Sequence, residues 1–161
     1  MLGLLALLGP STPYEMEQWA VTSLGNFWAF PRSQLYSEPA RLAGAGLAEE
    51  DREDTGRRRR RFTLTPDGRT ALQAWLARPE GASTEIRDLG LLRLFFGSAA
   101  ASPDDVAASA RAQAQAHRDK LAAYERLQGG GPDPHVAATL RLGMTYERAA
   151  VAFWDEVASG A

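Results

Sequence analysis

The sequence predicts a mostly α-helical chain with one small β-hairpin, and three observations predict it. First, a side-chain oxygen stands directly before a proline at Thr12-Pro13, Thr65-Pro66, Ser102-Pro103 and Asp133-Pro134. Such an oxygen accepts from an orphan amide of the first helical turn, and proline is pre-organised for the first helical position, so each pair marks a helix start. Second, the helical period of apolar residues vanishes between Leu47 and Leu64, where acids and then arginines flank Asp54-Thr55-Gly56-Arg57. Third, the C-terminal part carries two long amphipathic runs, 103–128 and 134–158.

The elements follow in order. Leu2 to Leu8 is apolar, but it is short, no Lys or Arg precedes it and no A-x-A site follows. It reads as a buried first helix and not as a signal peptide. A second helix covers 13–24, with Glu15 three residues after Thr12 as in a capping box, and Gly25 closes it. A third covers 31–45, with Leu35, Leu42 and then Leu47 toward the core. Pro39 falls inside it, where proline costs ~3 kcal/mol or more, and predicts a kink or interruption. If the hairpin turn centres on Thr55-Gly56, Leu47 faces Leu64, Asp51 faces Arg60 and Glu53 faces Arg58, with Leu47, Phe62 and Leu64 on the buried side. A helix over 65–77 carries Leu72, Trp75 and Leu76. Another lies near 85–97, and Gly129-Gly130-Gly131-Pro132 separates the last two. The domains predicted are 1–78 and 85–161, with a linker at 79–84. No segment approaches the ~20 apolar residues of a membrane span.

Composition narrows the function. The chain has 161 residues, a net charge of −2 and no cysteine. Disulfides, thiolate chemistry and cysteine-ligated zinc are excluded, and a reducing cytoplasm suits the chain. Any DNA affinity must come from local clustering of charge. The sequence holds no nucleophile elbow, P-loop or dinucleotide fingerprint. His117 and His135 read as surface or helix-end residues, without a carboxylate constellation. No enzyme activity, cofactor or metal site is expected.

Three short helices followed by a two-stranded ribbon make a winged helix-turn-helix. Its third helix enters the major groove and its hairpin reaches phosphates or the minor groove. Arg32, Ser33, Gln34 and Tyr36 stand at the start of the third helix. Gln pairs with adenine, Arg with guanine, and Ser and Tyr more often with phosphate. The competing reading is an ordinary exposed polar helix start. Arg57 to Arg61 forms an arginine run at the hairpin. Arg57, Arg58 and Arg59 near the tip are assigned to DNA phosphates and Arg60 to a cross-strand ion pair. The acids Glu49, Glu50, Asp51, Glu53 and Asp54 are the alternative partners. The rival function is a helical protein-interaction module that does not bind DNA.

An ordered set of motifs spans nearly the whole chain. It comprises Leu2-Gly3-Leu4-Leu5-Ala6-Leu7-Leu8, Pro13-Tyr14-Glu15, Leu24-Gly25-Asn26-Phe27-Trp28, Ser33-Gln34-Leu35-Tyr36, Gly46-Leu47, Phe62-Thr63-Leu64-Thr65 and Leu91-Leu92-Arg93-Leu94-Phe95-Phe96-Gly97. It resembles the PadR-type (phenolic acid decarboxylase regulator) transcription factors, in the subgroup with the larger C-terminal helical domain. Pro39 and the dense arginine run depart from the family pattern. The resemblance implies a homodimeric repressor released from DNA by a small aromatic or phenolic molecule.

In the last helix Val136, Leu140, Met144, Val151, Trp154 and Val157 form one apolar stripe, and Leu142, Tyr146, Ala149 and Phe153 a second. Two stripes exceed what one antiparallel neighbour covers, so a second chain is expected to complete a C-terminal helical dimerisation domain. An intramolecular bundle is the alternative. A two-fold dimer would present both reading helices to a roughly palindromic operator. Leu5, Leu140, Met144, Val151 and Trp154 are the residues assigned to the dimer. Trp28, with Tyr146 or Trp154, is the candidate effector pocket, against ordinary core packing for each.

Overall fold

The computed structural model describes residues 1–52, 59–81, 86–100, 102–127 and 133–160, the side chain of Asn26 apart. The chain forms two compact units, Met1–Ala82 and Ser83–Ala161. In the first, α1 (Leu2–Leu8), α2 (Pro13–Thr22), a 3₁₀ turn (Leu24–Asn26) and α3 (Arg32–Gly44) precede an antiparallel hairpin of β1 (Ala48–Arg52) and β2 (Arg60–Leu64), and α4 (Pro66–Leu76) follows. In the second, α5 (Leu89–Phe95), a 3₁₀ turn (Gly97–Ala99), α6 (Pro103–Leu127) and α7 (Pro134–Ser159) follow one another.

All four proline-marked helix starts are capped as their chemistry requires. Thr12 and Glu15 make a full capping box: the Glu15 amide donates to Thr12 Oγ1 at 3.2 Å, and the Thr12 amide to Glu15 Oε2 at 2.7 Å. The Gly68 amide donates to Thr65 Oγ1 at 3.0 Å, the Asp104 amide to Ser102 Oγ at 3.1 Å, and the His135 amide to Asp133 Oδ1 at 2.7 Å. The helix expected near 85–97 begins later, where Asp88 caps α5.

The hairpin register differs from the expected one by a single residue. Ala48 pairs with Leu64, Glu50 with Phe62, Asp51 with Arg61 and Arg52 with Arg60. Ala48 and Phe62 are buried, whereas Leu47 and Leu64 are half-buried. The cause lies at the end of α3. Gly46 adopts a left-handed φ of 73°, and the Leu47 amide returns to the Leu42 carbonyl at 2.9 Å. This helix cap commits Leu47, so the ladder starts at Ala48. The expected turn at Thr55-Gly56 and the Glu53–Arg58 pair lie outside the described residues, as does the Gly129-Gly130-Gly131-Pro132 separator.

Pro39 does not interrupt α3, contrary to expectation. The helix runs unbroken from Arg32 to Gly44, and the proline ring is fully enclosed. Burial of the ring in the core offsets the backbone hydrogen bond it cannot donate.

The core of the first unit is Leu4, Leu5, Met16, Ala20, Leu35, Leu42, Ala48 and Phe62. Ser11 joins the sheet through a single bridge to Phe62, with amide–carbonyl bonds of 3.0 and 2.9 Å. In the second unit α6 and α7 pack antiparallel. Ala110 and Ala114 are small enough to admit the Trp154 ring, and Leu94 and Val157 close around it. Gly143 does the same for Tyr124: a Cβ there would stand 3.0 Å from the ring.

Candidate nucleic-acid interface

The start of α3 is an exposed polar surface held by buried leucines. Leu35 and Leu42 anchor the helix, and Arg32, Ser33, Gln34 and Tyr36 are all exposed. Two of the four are tied to α2. Arg32 Nε lies 2.9 Å from Glu17 Oε1, and the Tyr36 hydroxyl donates to Glu17 Oε2 at 2.8 Å. The Arg32 guanidinium also lies over the Tyr36 ring, 5.6 Å from its centre.

At the hairpin Arg59 is exposed, and Arg57 and Arg58 lie outside the described residues. Arg60 makes an ion pair as expected, but with Glu50 and not Asp51. Its Nε and Nη2 reach Glu50 Oε1 and Oε2 at 2.7 and 2.8 Å. The register is the reason: Glu50 lies diagonally across from Arg60, on the same face of the ribbon. Arg52 shares that carboxylate at 2.5 Å, and Arg61 reaches Glu15 at 3.6 Å. Hydrogen bonds from Arg60 and then Arg52 hold the Glu50 carboxyl at about 2. A lowered value means the pairing stabilises the ribbon fully above the ordinary carboxylate range and is lost as pH falls through about 2. An NMR titration is therefore expected to show Glu50 still ionised at about pH 3. A midpoint near that of free glutamate would show that the pairs do not form.

The residues assigned to a dimer contact divide differently. Leu5, Met144 and Trp154 are enclosed by their own unit, and Leu140 and Val151 are half-buried. A side chain already sealed in its own core has little surface left for a partner, so of the five only Leu140 and Val151 keep surface for that contact. The stripe that stays open on α7 is the other one: Leu142 is 71% exposed, Tyr146 46% and Phe153 41%. The candidate effector residues also separate. Trp28 is exposed beside Phe30 in the first unit, with ring centres 6.5 Å apart. Tyr146 stands edge-on to His117 in the second unit. Trp154 lines an apolar cavity of about 450 Å³ with Leu92, Leu94, Phe96 and Val106.

His117 is not the isolated residue that the sequence suggested. Its Nδ1 lies 2.5 Å from Glu147 Oε2, and Lys120 Nζ lies 3.2 Å from Glu147 Oε1. Glu147 is 1% exposed. Neither Glu147 nor Glu17 carried a local signal, since each meets its partners from another helix. Among the described residues no cluster has the composition of a metal site. No described helix is long and apolar enough to cross a membrane.

Residues 1–74 match the model of the transcriptional regulator PadR-like family, and residues 86–160 that of the virulence activator alpha C-terminal family. The structure of Bacillus subtilis PadR in complex with operator DNA is similar at a TM-score of 0.85 and 25% identity, over 98% of this chain and 94% of that one. The first 74 residues thus match the PadR-like family, and the whole chain is similar in structure to a PadR protein. The resemblance read from the motifs is thereby confirmed, as is the mostly helical winged-helix fold with its helical C-terminal region. The PadR-like sequence similarity extends to the negative transcriptional regulator PadR of Bacillus subtilis (strain 168), 29% identical over 98 residues. That match covers 60% of this chain and 53% of the relative, so the chain spans about half the length of the curated relative it matches. The complex of Bacillus subtilis PadR with p-coumaric acid shares the fold at a TM-score of 0.78 and 24% identity, over 98% of this chain and 94% of that one.

Proposed function

We propose that this PadR-like chain is a cytoplasmic repressor that binds a roughly palindromic operator as a homodimer. The observation that carries the reading is the exposed α3 start, with Arg32, Ser33, Gln34 and Tyr36 on a helix anchored by Leu35 and Leu42. The geometric reason is that a rigid helix places side-chain donors at a fixed spacing for base edges. Arg59, with Arg57 and Arg58, supplies phosphate contacts from the hairpin. The unbroken α3 weakens one of the two grounds for a module without DNA binding, the other being the acid-balanced hairpin. The similar Bacillus subtilis protein has been crystallised with operator DNA and with p-coumaric acid, which supports DNA as partner and a small phenolic effector as the releasing ligand. Trp154, through the cavity it lines with Leu92, Leu94 and Phe96 in the second unit, is the aromatic residue proposed for that effector. The uncovered stripe of Leu142, Tyr146 and Phe153 supports a second copy packing on α7.

Titration of the full chain onto a random duplex at two salt concentrations tests the proposal. Binding at low salt with a steep salt slope is expected. No binding at low salt, with the dimer intact, would overturn it. Arg59→Ala is expected to weaken all sequences alike and to reduce the salt slope by about 1, whereas Gln34→Ala changes sequence preference.

A further inference from the structure

Glu17 is the acidic group of α2 that engages the start of α3. Its side chain is 13% exposed, while that of its partner Arg32 is 75% exposed. The two carboxylate oxygens are divided between two reading residues, one turn apart: Oε1 takes Arg32 Nε and Oε2 takes the Tyr36 hydroxyl. A guanidinium has donors on three nitrogens. With Nε beside Glu17 and the guanidinium also bonded to Tyr36, the fork that can meet the O6 and N7 acceptors of a guanine is held on two sides. A side chain fixed before contact presents its donors in one geometry, and here the fixing comes from an ion pair to Arg32 and a hydrogen bond from Tyr36.

We propose that Glu17 is a positioning residue of the DNA interface. It holds Arg32 by Nε and Tyr36 by its hydroxyl, and so sets the sequence preference without touching DNA. The inference rests on the reading of α3 as the base-contacting helix. It carries a signature that a purely structural role lacks. Glu17 is itself an anion near a polyanion, so it disfavours every duplex slightly while favouring the right one. Removing its charge therefore moves specific and non-specific binding in opposite directions. A folding defect would weaken both.

The test uses the full chain, with a duplex selected from a randomised library by the parent protein and a scrambled duplex of the same composition. Parent, Glu17→Gln, Arg32→Ala and the double variant are titrated onto both at two salt concentrations. Glu17→Gln is expected to lower the selected-to-scrambled affinity ratio about tenfold, in the range of one bidentate base contact. Its affinity for the scrambled duplex should stay level or rise. The double variant should discriminate no worse than Arg32→Ala alone, because both changes remove one coupled contact. A ratio preserved in Glu17→Gln, equal loss on both duplexes, or additive losses in the double variant would each overturn the inference while leaving the DNA-binding function standing. A parent protein that binds neither duplex would remove the function and the inference together.

Discussion

Gly68→Ala is expected to destabilise the chain by about 3 kcal/mol, read from urea unfolding followed by circular dichroism. A Cβ at Gly68 would stand 2.0 Å from the Leu47 carbonyl oxygen and 2.8 Å from Leu64 Cδ1. The oxygen has little freedom to retreat. The Leu47 carbonyl accepts from the Thr65 amide at 3.3 Å, and the Leu47 amide is held by the end of α3. The methyl group must therefore push α4 off the base of the hairpin. Elsewhere in a helix the same substitution is favourable by up to about 1 kcal/mol. Gly3, with nothing within 4 Å of its would-be Cβ, is the matched control and should gain or hold stability. A Gly68→Ala variant as stable as the parent would show that α4 and the hairpin separate at no cost.

The second large effect lies between α6 and α7. Replacing both partners of Glu147, as His117→Leu with Lys120→Met, is expected to cost about 3 kcal/mol or more, because it leaves a buried carboxylate uncompensated. Adding Glu147→Leu to that pair should recover most of the loss, since a buried ionic group replaced as a whole by apolar residues is often neutral. Thermal unfolding of the double and triple variants decides the matter. A triple variant no more stable than the double would mean that Glu147 contributes through its shape and not through its charge.

What could be read from the sequence was local. Helix starts were legible at Thr12, Thr65, Ser102 and Asp133 because a cap is made by a residue and its neighbours within one turn. The exposed polar start of α3 was legible for the same reason. The hairpin register was not, because it depends on how α3 ends: Leu47 looks like a strand residue by hydropathy but is consumed by the helix cap. Pro39 misled because its backbone penalty is a local quantity, while the burial that offsets it is tertiary. The two stripes of α7 were both visible, but nothing in their composition says which one faces α6. Glu17 and Glu147 were illegible because their partners lie on other helices, Tyr36 at 19 and His117 at 30 residues away in sequence.

The pairing of Ala48 with Leu64 at the foot of the ribbon has a further consequence. Alignment of the two strands is dictated from below, by the cap on α3 and the close seat of Gly68. A change of charge farther up the ribbon, at Arg52 or Arg59, therefore leaves Phe62 in place. Selection can retune the charge that this ribbon presents without reopening the question of how the domain folds.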